Sequence, residues 1–228
     1  MKTTIALATL LLLSSAAALA GDYEPMARSG VKGGLTMATF TGEFDIETIL
    51  ESNYEERLGF AAGVWMNLGP SVGFSLQPEI LYVQKGGKLD HVLITGSTWG
   101  SKEYQFDYVE IPLMLRLNIP LAKQSGFYLM GGPAFAFNVK ADRVTEYEAD
   151  GVLQVVREDI DHLIRDTETS WVAGAGVQAG ILTIEGRYSI SMDTILEEGV
   201  QATPPSPEKP RTTELKNEVV AVMVGFAF

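Results

Sequence analysis

The sequence predicts an all-β fold: an eight-stranded antiparallel up-and-down transmembrane β-barrel of the outer-membrane type. Apolar and polar residues alternate in eight separate segments, which is the pattern of half-buried strands. Short turns and long connections follow one another between these segments, as in barrels that cross a membrane. One face of nearly every segment is apolar, where a soluble β-sandwich or lipocalin-like barrel, the competing architecture, would need charge.

The first residues have the pattern of a secretory signal peptide. Lys2 supplies a positive charge, residues 5–13 form a short apolar core, and Ala18-Leu19-Ala20 is a small-residue cleavage site. We therefore expect residues 1–20 to be removed and residues 21–228 to form the barrel domain. The chain has no cysteine, which excludes disulfides, thiolate metal sites and a lipid anchor on a cysteine.

The first four strands are predicted at residues 30–40, 57–68, 72–84 and 104–118. Their outward faces are apolar, with Val31, Leu35 and Met37, then Leu58, Phe60 and Val64, then Phe74, Leu76 and Ile80, then Ile111, Leu113 and Leu115. Their inward faces carry polar residues, among them Lys32, then Ser75, Gln77 and Glu79, then Glu110, Arg116 and Asn118. Each segment reaches the ~9–11 residues that a tilted strand needs to cross the bilayer.

The last four strands are predicted at residues 126–140, 170–179, 181–192 and 217–228. The fifth alternates Phe127, Leu129 and Phe135 with Tyr128 and Met130. The sixth is rich in Gly and Ala, so its facing is the least determined. The seventh and eighth place these apolar residues outward: Leu182, Ile184, Tyr188 and Ile190, then Val220, Val222, Val224, Phe226 and Phe228.

Connection lengths set the expected orientation. Residues 69–71, residues 119–125 and a turn near Gly180 are short, whereas residues 41–56, 85–103, 141–169 and 193–216 are long. Short turns face the periplasm in such barrels, and an even strand number then places both termini there. Aromatic residues near strand ends suit two interfacial girdles: Phe40, Tyr82, Tyr104, Phe137 and Trp171 at the outer rim, and Phe74, Phe127, Phe226 and Phe228 at the inner one.

Six charged residues fall on the inward faces: Lys32, Glu79, Glu110, Arg116, Glu185 and Arg187. The interior of an eight-stranded barrel is only wide enough for side chains, and buried charges are costly unless they are paired. We therefore predict a lumen charge network in which Glu185 and Arg187 meet Glu110 and Arg116. The alternative for the same residues is a proton- or ion-conducting path, or a catalytic carboxylate pair.

The long connections hold most of the acid. Residues 41–56 contain six acidic residues and no basic one, and residues 141–169 contain nine acidic residues against three arginines. Without Lys2 the mature chain has 16 basic and 29 acidic residues, which argues against nucleic-acid binding. Clustered carboxylates suit calcium or magnesium, but the spacing matches no defined calcium loop. No metal or other cofactor is predicted.

The third long connection allows two local structures. Residues 144–149 and 152–157 flank Asp150-Gly151, a strong hairpin turn, and we favour a hairpin that extends the neighbouring strands. The alternative is an amphipathic helix with Val155, Val156, Ile160, Leu163 and Ile164 on one side. The fourth long connection has four prolines and is expected to be irregular.

Catalysis finds little support in the sequence. The chain has no Gly-x-Ser-x-Gly elbow and no cysteine, and its two histidines, His91 and His162, lie in predicted connections. His162 lies among acidic residues, a pattern that is also typical of a solvated surface loop. We therefore predict no catalytic residue and no enzymatic activity.

Six short motifs are spread along the predicted barrel: GVKGG at 30–34, YVEIPL at 108–113, GP at 132–133, GAGV at 174–177, IEGRYS at 184–189 and GFAF at 225–228. Together they resemble the PorT-like family of small outer-membrane barrels, found in Bacteroidetes and related Gram-negative bacteria. The resemblance implies the barrel fold and an outer-membrane location, but no functional residue. The closing Phe226 and Phe228 also resemble the signal that the outer-membrane assembly machinery reads.

These observations predict a non-enzymatic barrel with a filled lumen that acts through long acidic extracellular loops, in envelope structure, partner contact or adhesion. A narrow porin-like conduit for ions or small solutes is the alternative. The expected partners are outer-membrane lipid, the outer-membrane assembly machinery and an envelope or secretion protein. Nucleic acid is not expected as a partner, and the barrel is expected to be a monomer because a closed sheet has no edge that requires a mate.

Overall fold

A computed structural model describes residues 29–41, 54–95, 98–122, 125–149, 151–196 and 215–228. The predicted signal peptide and most of the first and last long connections lie outside this range. The strands in it are β1 (Ser29–Thr41), β2 (Tyr54–Glu55), β3 (Arg57–Met66), β4 (Gly73–Thr95), β5 (Thr98–Ala122), β6 (Ser125–Ala149), β7 (Val152–Asp159), β8 (Thr167–Ala179), β9 (Leu182–Ser191) and β10 (Lys216–Ala227). No helix in these ranges is long and apolar enough to cross a membrane.

Eight of these strands close into a ring, which confirms the predicted fold class. The order around the ring is β4-β3-β1-β10-β9-β8-β6-β5, and β4 pairs with β5 to close it. Every neighbouring pair is antiparallel. The ring is sealed between β1 and β10, which pair from Gly30 and Ala227 to Thr41 and Lys216.

The side-chain facing also agrees with the alternation in the sequence. The predicted outward residues are exposed, for example Leu35, Leu115 and Val222, and their neighbours Thr36, Arg116 and Met223 are buried. The sixth predicted strand, now β8, faces Glu168, Ser170, Val172 and Gln178 inward. The girdle assignment was wrong for Phe40 and Tyr104. The Phe40 ring is buried inside the barrel mouth, and Tyr104 packs against it there.

The strands are longer at one end than the sequence predicts. Residues 85–103 were expected to form a loop, but β4 and β5 continue pairing from Lys85 and Phe106 to Leu89 and Lys102. Gly86 stays in this ladder because glycine accepts its positive φ of 128°. We call this the loop end of the barrel, and the opposite end, with its short connections, the turn end.

The third long connection forms the predicted hairpin and not the alternative helix. β6 runs on to Ala149, Gly151 turns the chain with a φ of 76°, and β7 pairs back along β6 from Val152 to Asp159. A single 3-10 turn, Asp161–Leu163, then leads into β8. The β6–β7 hairpin therefore stands beyond the ring, since β8 pairs with β6 only as far as Phe137.

Candidate functional site

Four charged side chains form a closed cluster in the middle of the lumen. We call Lys32, Glu79, Glu185 and Arg187 the middle cluster. Lys32 Nζ lies 2.8 Å from Glu79 Oε1 and 2.9 Å from Glu185 Oε1. Arg187 contacts the same two carboxylates, with Nη2 2.6 Å from Glu79 Oε1 and Nε 2.7 Å from Glu185 Oε1. Each charge therefore has two partners of opposite sign, as burial requires.

Polar neighbours complete the middle cluster. The hydroxyl of Tyr128 donates to Glu185 Oε2 at 2.9 Å, and the amide of Gln77 donates to Glu79 Oε1 at 2.6 Å. The Tyr128 ring needs the glycine at 176, because a Cβ there would lie 2.3 Å from Tyr128 Cζ. Glycine at 176 in β8 thus leaves room for the Tyr128 side chain of β6 in the lumen.

A second cluster lies nearer the loop end and contains two residues that the sequence analysis missed. Lys85 Nζ lies 2.9 Å from Glu110 Oε2 and 2.8 Å from Glu168 Oε1, and we call these three residues the loop-end cluster. Asn217 donates to Glu168 Oε2 at 2.6 Å. Lys85 and Glu168 were assigned to connections, although each continues the inward alternation of its strand by one step.

Arg116 differs from its predicted role. Glu110 and Arg116 were expected to meet Glu185 and Arg187, but Glu110 pairs with Lys85. Within the described ranges Arg116 forms no ion pair and instead donates to Gln77 at 2.6 Å, Asn118 at 2.7 Å and Gln178 at 3.3 Å. The guanidinium also lies 3.7 Å from the centre of the Tyr128 ring, a cation–π contact. The cause is height along the barrel axis, because Arg116 lies near the turn end and Glu110 nearer the loop end.

The charges of the two clusters and of Arg116 balance. Lys32, Lys85, Arg116 and Arg187 oppose Glu79, Glu110, Glu168 and Glu185. A void of about 30 Å³, which Lys85, Glu110 and Arg187 help to line, separates the two clusters. That volume is room for about two water molecules. Side chains of both clusters, together with Arg116, therefore fill the lumen at these heights.

Beyond the loop-end cluster an apolar cap closes the mouth of the barrel. Its buried members are Phe40, Phe106, Tyr108, Ala136, Ala141, Ile160, Ile164, Ile195 and Leu215. Backbone bonds hold the connecting segments in place: Ile160 N donates to Ala141 O at 2.9 Å, and Ile195 N donates to Leu215 O at 2.8 Å. The sequence analysis missed the four aliphatic members from connections, Ile160, Ile164, Ile195 and Leu215.

The β6–β7 hairpin carries its own surface ion pairs. Asp142 Oδ2 lies 2.6 Å from Lys140 Nζ and 2.8 Å from Arg157 Nη1, and Arg143 contacts Glu158. The hydrogen bond from Lys140 holds the pKa of the Asp142 carboxyl below its usual value. The pairs Arg157–Asp142 and Arg143–Glu158 join β7 to β6 and so favour the pairing of the two strands, whereas Lys140 lies on the same strand as Asp142.

The surroundings of His162 do not form a catalytic or metal-binding arrangement. Its side chain is exposed in the 3-10 turn, Asp161 accepts a hydrogen bond from the backbone N–H of Ala141, and Asp159 accepts one from the backbone N–H of Asp161. Across the described ranges no three His, Asp or Glu side chains come close enough to share a metal ion. The acidic run at 42–53 lies outside those ranges.

Residues 24–197 match the model of the family described as the outer membrane protein beta-barrel domain. The chain belongs to this family. Its exposed aliphatic belt, with Leu58, Leu113 and Val222 among its members, is therefore the surface that faces lipid in the outer membrane. The match stops short of β10, the strand that closes the ring.

Solved structures with a related shape are only distantly similar. Ail, the attachment invasion locus protein of Yersinia pestis, has 13% identity over 89% of this chain and 99% of its own, with a TM-score of 0.40. Neisserial surface protein A has 9% identity over 88% and 97%, with a TM-score of 0.41. The translocator domain of autotransporter NalP from Neisseria meningitidis has 10% identity over 100% and 98%, with a TM-score of 0.36. Values this low say nothing about function. Among curated protein sequences, none matches.

Proposed function

We propose that this chain is a non-enzymatic outer-membrane barrel with a closed lumen, which works through its long acidic extracellular segments in envelope structure, partner contact or adhesion. The observation that carries the proposal is the filling of the lumen at successive heights. Arg116 and its amide partners, the middle cluster, the loop-end cluster and the apolar cap follow one another along the axis. Open aqueous channels belong to barrels of ~16 strands.

The proposal extends to location and partners. Removal of residues 1–20, both termini in the periplasm, a monomeric state, and contacts with lipid and with one envelope or secretion protein are parts of it. The assembly machinery would read Phe226 and Phe228, whose rings are exposed along β10. The motifs at 108–113 and 184–189 favour a PorT-like member within the family.

Conductance of the refolded mature protein in a planar bilayer tests the closed lumen. Folding is checked first by a heat-modifiable band on gels, and an open porin serves as the positive control. We expect a silent bilayer at salt concentrations where the porin conducts. Discrete, stable openings would contradict the proposal.

A narrow conduit for ions or small solutes is the second candidate. The void between the two clusters favours it, because three charged residues, Lys85, Glu110 and Arg187, are among those that line it. If the conduit exists, its openings should change when Glu110→Gln alters the lining, whereas Glu55→Gln on the exposed surface should leave them unchanged. The candidate is rejected if neither the parent protein nor Glu110→Gln conducts.

A further inference from the structure

β7 differs from every other long strand of the molecule because all eight of its residues are exposed. Four of them are large aliphatic residues, Val152, Leu153, Val155 and Val156, with 48–66% of their surface exposed. They lie on both faces of the hairpin. The lipid-facing valines of the barrel are covered by the membrane, but β7 stands outside the ring, at the end of a hairpin roughly 25–30 Å long.

The backbone of β7 is also half unpaired. One edge pairs with β6, and within the part of the chain that the structure describes no strand pairs with the other edge. Alternate N–H and C=O groups therefore point outward along an extended template. Natural proteins usually protect such an edge with charge, proline or a covering segment, and residues 152–156 have neither charge nor proline.

The charges around this edge indicate the kind of strand that fits it. The three cations of the described hairpin, Lys140, Arg143 and Arg157, are all engaged by Asp142 and Glu158. Glu146 and Glu148, which are exposed, have no cation within ion-pair distance among the described residues. They face Val155 and Leu153 across the β6–β7 ladder and so share one face of the hairpin with them.

We propose that the open edge of β7 is the docking site of an extended polypeptide segment in which basic and aliphatic residues alternate. The segment adds a strand to the sheet through main-chain hydrogen bonds. Its Lys or Arg side chains lie over Leu153 and Val155, with their apolar stems on these residues and their charges directed toward Glu146 and Glu148. Its aliphatic residues lie on the other face, beside Val152 and Val156. A second copy of this acidic chain fits less well, since its edge would bring further carboxylates.

This inference rests on the proposed function, since it names the surface through which a closed barrel would contact its partner. The two are tested separately. Bilayer conductance reports on the lumen and is independent of β7. A conducting protein whose β7 edge still binds would overturn the closed lumen alone, and a silent protein whose edge binds nothing would overturn the docking site alone.

The first measurement is amide hydrogen exchange of the refolded protein. Alternate amides of β7, those that point away from β6, should exchange fast, while the others are protected by β6. Addition of a ten-residue peptide of alternating Lys and Val should protect the fast set. If that set is already slow in the protein alone, the chain covers its own edge and the proposal is wrong.

Binding of the same peptide with a fluorescent label, followed by anisotropy, tests whether main-chain hydrogen bonds and the two glutamates hold it. Methylation of the peptide amides that face β7 keeps charge and side chains but removes the donors, and should weaken binding at least tenfold because several hydrogen bonds are lost. Glu146→Gln with Glu148→Gln should weaken it about three- to tenfold. The matched control, Glu55→Gln with Glu56→Gln, removes the same charge from exposed residues elsewhere and should change it less than twofold.

Three outcomes would overturn the docking site. The first is equal binding of the methylated peptide, which would mean charge attraction without strand pairing. The second is an equal loss in both pairs of Glu variants, which would mean attraction to the acidic surface as a whole. The third is a dimer in sedimentation that Leu153→Lys with Val155→Lys dissociates, which would assign the edge to a second copy.

Discussion

Glu79 in the lumen and Asp142 on the hairpin form ion pairs of the same geometry in different surroundings. At each site one carboxylate oxygen, Glu79 Oε1 or Asp142 Oδ2, accepts from one Lys and one Arg at 2.6–2.8 Å. The side chains around Glu79 are 0–5% exposed, whereas Lys140 and Arg157 beside Asp142 are more than half exposed. Ion pairs of the same geometry therefore contribute differently to the free energy of unfolding, because only the lumen cations lose their water.

Removing the two carboxylates in turn tests this comparison most strongly. Glu79→Ala leaves Lys32 and Arg187 in the lumen with one acid fewer, and should lower the free energy of unfolding by about 3–5 kcal/mol. Asp142→Asn should lower it by less than about 1 kcal/mol, since solvent replaces the lost charge. Denaturant titration of the refolded variants in lipid vesicles measures both. Similar losses would mean that burial does not distinguish the two sites.

The aliphatic surfaces allow a second comparison, because Val222 on β10 and Val155 on β7 are equally exposed, at 57%. Val222→Arg places a cation on the lipid face near mid-membrane and should cost about 2–4 kcal/mol. Val155→Arg meets water and should change stability by no more than about 0.5 kcal/mol. Refolding yield and unfolding free energy in vesicles measure the difference. If the two variants behave alike, the lipid-facing assignment of β10 fails.

The smallest expected effect is a pH dependence on the hairpin. The pKa of Asp142 is depressed in the folded protein, so its ion pairs stabilise the hairpin above the unfolded pKa of about 4 and are lost as pH falls through the lower, folded pKa. The protection factors of the β7 amides, which correct for the intrinsic slowing of exchange at lower pH, should therefore fall between pH 6 and pH 3 in the parent protein but not in Asp142→Asn. High salt should reduce the same contribution, because exposed pairs are screened. A parent protein and variant with the same pH profile would contradict this account.

The sequence predicts the barrel wall well because alternation reports directly on which side of a strand faces lipid. All eight ring strands and most of their outward residues follow from that period, with Phe40 and Tyr104 at the barrel mouth as exceptions. It predicts the lumen less well. The six inward charges were visible, but their partners depend on strand register and on height along the axis. Glu110 and Arg116 therefore do not form the expected ion pairs with Glu185 and Arg187.

The connections were the hardest part to predict, because their structure also depends on how distant segments pair. Lys85 and Glu168 lie just past the predicted strand ends, and Gly86-Gly87 looks like a break unless the β4–β5 ladder is known. Ile195 and Leu215 are isolated aliphatic residues in polar segments, so no local period marks them. Ile160 and Ile164 fit only the period of the alternative helix, which the chain does not form. Their burial is decided only when four distant segments meet at the barrel mouth.

The seam between β1 and β10 has a consequence for the order of events during biogenesis. Ser29 and Phe228, 199 positions apart, are joined by a side-chain hydrogen bond, and twelve residue pairs align along the two strands. Contacts between such distant residues make folding slow, because a long loop must close before they can form. Until β10 arrives, β1 and β9 each expose an unpaired edge that can pair with other chains. A chain that stalls before its last strand would be an aggregation-prone intermediate, and the periplasm would have to hold it soluble until the ring closes.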